Sequence, residues 1–180
     1  MFKILTFLLA FLLISGCTLT TQTIEKYEIK GKDEKELMRS IRENGPLDVH
    51  SFAATSITIS SRTEEISDAR GCRFKKVIFK IDALETLPRW VERTGASKRL
   101  LDGFEQNIAQ AKERGRGHLR IAREATRAAE LQLIAIPPQK NCETLKRKSM
   151  KLWGELFANY DKVQRAFTAS EDRRLAATAK

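Results

Sequence analysis

The sequence predicts an α+β domain, a small antiparallel sheet followed by two long helices. Three observations carry that expectation. Ile57-Thr58-Ile59-Ser60 and the run from Arg73 to about Leu84 alternate with a period of two, as half-buried strands do. From Leu100 onward, apolar and small residues recur at intervals of three and four for about nine turns. Pro137-Pro138 then divides that stretch from a second helical one. Strands first and long helices after define the class.

Residues 1–16 are expected to lie outside the fold. Lys3 precedes an apolar run from Ile4 to Ile14, which is too short to span a bilayer and suits a signal-peptide core. The run ends in Ile14-Ser15-Gly16-Cys17, which resembles the bacterial lipobox, with Ile for the commoner Leu at its first position. The motif implies cleavage before Cys17 and acylation of that cysteine, with each buried CH₂ worth ~0.8 kcal/mol. The alternative is an ordinary signal peptide with a coincidental cysteine. Thr18 rather than Asp follows the cysteine, which favours the outer membrane, facing the periplasm.

Residues 17–26 are Thr-rich and polar and predict a tether between lipid and domain. A single α+β domain is expected over residues 27–176. Tyr27-Glu28-Ile29-Lys30 reads as a short strand before Gly31. A helix begins at Asp33, carries Leu37, Met38 and Ile41 on one face, and stops at Asn44-Gly45-Pro46. Phe52–Ser60 is expected as a strand and Ser61–Gly71 as the polar turn after it. In the next strand Val77, Phe79 and Ile81 point one way, and Lys76, Ile78 and Lys80 the other. Pro88 is expected to end it, since proline cannot continue a central ladder. The first long helix carries Leu100, Phe104, Ile108, Ala111, Gly115, His118, Ala122, Ala125, Ala129 and Leu133 on one stripe. Gly115 and Gly117 weaken it by up to ~1 kcal/mol each and suggest a local bend or break. The last helix runs from about Cys142 towards Leu175, with Leu145, Leu152, Leu156 and Phe157 among its apolar residues.

Composition limits the chemistry. The 180 residues carry 33 Lys plus Arg against 23 Asp plus Glu, a net charge of +10, and 42% of them are hydrophobic. The only histidines are His50 and His118, so one copy of the chain holds no three-histidine zinc site. Beyond Cys17, the cysteines are Cys72 and Cys142. In an oxidising envelope compartment they read as a structural disulfide, stabilising by ~4 kcal/mol through the loop it closes, or else as two buried thiols. No Gly-x-Ser-x-Gly elbow occurs.

Several segments in order resemble the bacterial predicted secreted zinc-dependent proteases, a family otherwise labelled as of unknown function. They are Tyr27-x-Ile29-x-Gly31, Glu36-Leu37, Asn44-Gly45-Pro46, Cys72, Leu87-Pro88-Arg89-Trp90, His118-Leu119-Arg120-Ile121-Ala122-Arg123-Glu124-Ala125 and Cys142. The likeness spans about residues 27–168 and implies a helix arrangement of zincin type. The family's helix carries His-Glu-x-x-His, whose histidines share one face and reach one zinc while the Glu serves as base. Here the matching residues are Arg114-Gly115-Arg116-Gly117-His118. His118 matches the second ligand, Arg114 stands at the first and Gly115 at the base. A guanidinium offers no lone pair. The family's third ligand region corresponds to Phe167-Thr168-Ala169-Ser170-Glu171-Asp172-Arg173-Arg174, which has no histidine.

The expectation is a lipid-anchored envelope protein with a non-catalytic binding or scaffolding domain and no cofactor. The rival is a zinc peptidase rearranged around His118, Glu113 and the last helix, with Glu171 and Asp172 as possible donors. The plainer reading of His118 is a partly buried imidazole bonded to a carbonyl or carboxylate, and His50 is given no role. Arg116, Arg120, Arg123 and Arg127 form a basic stripe on one helix face, and Lys146, Arg147, Lys148 and Lys151 a second cluster. These suit an anionic envelope lipid, polysaccharide or acidic protein, or simply a solvated face. Nucleic acid is not expected as a partner of an exported chain with so little aromatic interleaving.

Overall fold

A computed structural model of the chain describes residues 18–46 and 51–178; the segment expected as a signal peptide, Cys17 and His50 lie outside them. The architecture is α+β. Its elements in order are β1 (Leu19–Ile29), α1 (Glu34–Asn44), β2 (Ala54–Asp68), β3 (Gly71–Trp90), α2 (Lys98–Ile134) and α3 (Cys142–Thr178). The three strands form one sheet in the order β1-β3-β2. The sheet is mixed rather than purely antiparallel. β2 and β3 make the expected antiparallel hairpin, but β1 pairs with β3 in parallel, from Leu19↔Lys80 to Ile29↔Trp90. The return that such a pairing requires is made by β2 itself, after α1 has carried the chain past the end of β3 to its other side.

The segment expected as a tether is therefore mostly strand. Thr20, Thr21, Thr23 and Ile24 are β-branched and favour extended backbone. The free edge of β3 supplies their hydrogen bonds. Alternation is absent because residues 21–26 are exposed on both faces. The hairpin likewise runs on through Ser61–Asp68, leaving only Ala69-Arg70 as the turn. Those residues read as loop because they too are exposed throughout. Gly71 closes the turn at φ +109°, and a Cβ there would lie 2.3 Å from the Gln139 carbonyl oxygen. Asp68 accepts from the Arg70 amide at 2.9 Å and from Arg73 Nη1 at 2.7 Å. Those bonds, Arg73 first, hold its carboxyl down to about 2.

β3 also continues through Pro88. β2 pairs no further than Thr86, so at Pro88 one side of β3 has no neighbour. The Val91 amide donates to Ile29 on the β1 side, and by alternation the nitrogen of Pro88 faces the open side.

Val77, Phe79, Ile81 and Ala83 point towards the helices and are buried, as the alternation predicts. Phe79 stacks on Trp153 of α3 at 5.1 Å. Ile81 and Ala83 pack against Leu119 and Ala122 of α2. At the far end Ile29, Leu37, Ile41, Trp90 and Phe104 form a second cluster. Trp90 Nε1 donates to the Gly31 carbonyl at 3.0 Å, so burying this indole leaves no unpaired donor. Cys72 and Cys142 are joined, tying the hairpin tip to the start of α3. Cys72 also exchanges backbone bonds with Gln139 in the helix connection, each 2.8 Å.

Helix α2 is continuous over 37 residues, without a break at Gly115 or Gly117. Its glycines are places of close approach. A Cβ on Gly117 would lie 2.2 Å from Phe167 Cζ of α3, and one on Gly115 would meet Thr55 Oγ1 at 3.0 Å and Glu85 Oε1 at 3.1 Å. Among the described residues no helix is long and apolar enough to cross a membrane.

A candidate cleft around Arg114 and His118

α2 turns the matching positions Arg114 and His118 into a cleft of about 500 Å³. Met38 and Ile41 of α1, Phe52 just before β2, Thr55 at the start of β2, and Leu175 of α3 form its other walls. Asn107 and Gln110 add amides on the α2 wall. The two helix positions share one surface of α2, and the fold supplies the walls.

The Arg114 guanidinium pairs with Asp172 at 2.8 Å. Segment 167–174 therefore does come back to the helix, but it brings a carboxylate to an arginine. His118 Nδ1 lies 2.5 Å from Gln164 Oε1. An amide oxygen only accepts, so Nδ1 carries the proton and the lone pair of the neutral ring is on Nε2. Gln164 is fixed in turn, with Nε2 donating to the His118 carbonyl at 3.2 Å and to the Tyr160 hydroxyl at 2.9 Å. The Phe167 ring meets the imidazole edge-on at 4.9 Å.

These residues do not fit a zinc ion. His118 Nε2 is one competent donor, where zinc takes three or four protein ligands. Each carboxylate named as a replacement holds an arginine: Glu113 with Arg116, Glu171 with Arg174, Asp172 with Arg114. The bond to Arg174, with a lesser contribution from the charge of Arg114, lowers the pKa of the Glu171 carboxyl. Among the described residues, the one group of three possible donors within 4.8 Å is Glu65, Cys72 and Cys142. Its two sulfurs form the disulfide and offer no thiolate.

Behind the cleft lies a residue that the motif comparison missed. Glu85 of β3 is 5% exposed, and its Oε1 has no hydrogen-bond partner. It faces the backbone of Gly115, where the resemblance places the base. Burial raises its carboxyl's pKa, opposed in part by the charges of Lys112 and Arg116. The period-two row Val77, Phe79, Ile81, Ala83, Glu85, Leu87 was the signal that puts it inside.

The basic stripe is exposed as expected. Arg116 pairs with Glu113 and Arg120 with Glu124, the latter at 3.2 Å. Arg123 and Arg127 make no ion pair with a described residue.

Residues 24–174 match the family described as "bacterial protein of unknown function (DUF922)". Neither the curated proteins nor the solved structures contain a match to this chain. Since the family match covers most of the chain, the protein belongs to that bacterial family.

Proposed function

We propose, from the lipobox-like Ile14-Ser15-Gly16-Cys17 of a chain in a bacterial family, that the protein is a lipid-anchored component of the cell envelope. It would be held at Cys17 in the outer membrane and face the periplasm. Its domain binds or scaffolds a partner without catalysis, as a pseudo-metalloprotease. The support is a single observation. At the helix positions where the likeness to secreted zinc proteases requires a ligand and a base stand Arg114, engaged with Asp172, and Gly115, closed off by Glu85. No proton acceptor remains at position 115, and a permanent cation occupies position 114. The cleft instead offers a guanidinium, an imidazole and two amides between apolar walls, groups suited to holding the chain of a partner protein.

Metal analysis of the purified protein tests the non-catalytic reading. The expected zinc content is well below one per chain and insensitive to His118→Ala; stoichiometric zinc lost on that substitution overturns it in favour of a peptidase rearranged around His118. The anchor is tested separately by Cys17→Ser, which is expected to release the protein from the membrane fraction. Retention there overturns the lipobox reading.

A further inference from the structure

We propose that the β1 side of the molecule, with the flank of α2 that carries Arg116, Arg120, Arg123 and Arg127, rests on the anionic membrane surface that holds the Cys17 lipid. The Arg114–His118 cleft then opens away from it. This rests on the anchor reading above and adds the orientation and the second contact.

Two flanks of one helix carry the argument. Taking Gly115, which faces the sheet, as zero, about 100° per residue puts the four arginines at roughly 80–140°. On the same count, Arg114 and His118 fall at roughly −100° and −60°. α3 lies on the second flank: Gln164 and Phe167 touch His118, and Tyr160 packs near Ile57 and Ile59 of β2. The first flank therefore looks towards β1. Glu85, beneath α2, is paired with Thr55 of β2 on one side and Ile24 of β1 on the other; Thr55 lines the cleft with Arg114 and His118, which leaves the Ile24 side to the arginine flank.

The chain enters the fold on that same side. Leu19 begins β1 beside Lys80, and Cys17 precedes it by two residues, a reach of at most ~7 Å. Acyl chains on Cys17 thus hold this side within a few ångströms of the headgroups. What meets them is basic and partly apolar. Arg116, Arg120, Arg123 and Arg127 are all exposed, and Arg123 and Arg127 make no ion pair with a described residue. Leu131 and Ile134 continue the arginine flank and are 65% and 45% exposed; Leu19 and Ile24 on β1 are 58% and 50% exposed. Basic side chains are drawn to an anionic surface over about a Debye length, so the exposed stripe opposes reorientation about a flexible lipid link.

The test uses the lipidated full-length protein in vesicles of phosphatidylcholine, with or without phosphatidylglycerol, doped with a headgroup nitroxide. A fluorophore is attached through Leu131→Cys on the arginine flank or through Lys162→Cys on α3, the native Cys72 and Cys142 being joined. In anionic vesicles, quenching at 131 is expected to exceed that at 162 several-fold. The difference should vanish in neutral vesicles, at about 1 M salt, where the Debye length is ~3 Å, and in the Arg120→Glu/Arg123→Glu/Arg127→Glu variant. Equal quenching of retained molecules in anionic vesicles at low salt overturns the orientation while leaving the anchor intact. Failure of the protein to stay with any vesicle overturns both.

Discussion

Gly115 is expected to gain nothing from a side chain, although it lies inside a long helix where almost any residue is intrinsically better. Alanine for glycine in a helix interior gains up to ~1 kcal/mol. At Gly103, where an added Cβ meets nothing within 4 Å, Gly103→Ala is expected to realise that gain. At Gly115 the Cβ would lie 3.0 Å from Thr55 Oγ1 and 3.1 Å from Glu85 Oε1. The Thr55 side chain is β-branched and Glu85 is buried against the sheet, so both yield poorly. Overpacking of this kind costs ~1–3 kcal/mol, so the net effect of Gly115→Ala lies between neutral and a loss of about 2 kcal/mol. The two alanine variants should then differ by roughly 1–3 kcal/mol, with Gly115→Ala the less stable. In a domain of this size each kcal/mol moves Tm by about 2–4 °C. Thermal unfolding followed by circular dichroism measures the difference. Repeating Gly115→Ala in a Glu85→Ala background, which removes the opposing carboxyl, should recover much of the loss as a coupling energy of ~0.5–3 kcal/mol. Equal or greater stability of Gly115→Ala than of Gly103→Ala, or no coupling to Glu85, refutes the close-approach account. The same contact explains why a glutamate cannot simply be restored at position 115.

Because burial raises the Glu85 carboxyl's pKa, the native state binds its proton more tightly than the unfolded chain does. The stability it contributes is present below the ordinary glutamate range and is lost as pH rises through its folded value. Glu85→Gln should therefore flatten the decline of stability above about pH 4; an unchanged slope in denaturant midpoints counts against it. Tyr27 is pushed up to about 12 by burial, and its hydroxyl donates to the Phe52 carbonyl at 2.8 Å. Its contribution is present below about pH 10 and lost towards about 12, so Tyr27→Phe should soften alkaline unfolding while costing ~1 kcal/mol near neutrality. A Cys72→Ser/Cys142→Ser chain, which frees a loop with a sequence separation of 70, should lose ~4 kcal/mol in chemical denaturation. A loss below about 1 kcal/mol would show that Gln139 and the core already hold the hairpin tip. Gly117→Ala should cost ~1–3 kcal/mol through Phe167, and Phe167→Ala in the same chain should relieve the clash, which paired melts would reveal.

The elements that one-sided burial stamps on a sequence were legible. Val77, Phe79 and Ile81 alternate because one face of β3 meets helices, and the α2 stripe from Phe104 to Leu133 follows the helical period because one flank meets the sheet. The α1 boundaries came from Asp33, whose side chain accepts from the Glu36 amide, and from Gly45. Residues 19–26 and 61–68 escaped because strands exposed on both faces have no pattern, and their pairing depends on edges supplied from elsewhere. Pro88 was read as a stop because whether its missing N–H matters depends on how far the neighbouring strand reaches.

In the site, the chain alone determined the chemistry available. A guanidinium at 114, no side chain at 115, an imidazole at 118 and no later histidine are facts of composition that no folding can reverse. The tertiary structure decided how those groups are used. It brought Asp172 to Arg114, turned the proton of His118 Nδ1 towards Gln164, pressed Glu85 against Gly115 and set the arginine stripe on the flank opposite the cleft. The physical reason is separation along the chain. Periodicity reports which face of an element is buried, whereas partners tens of residues apart are fixed only when the sheet and the helix pair dock.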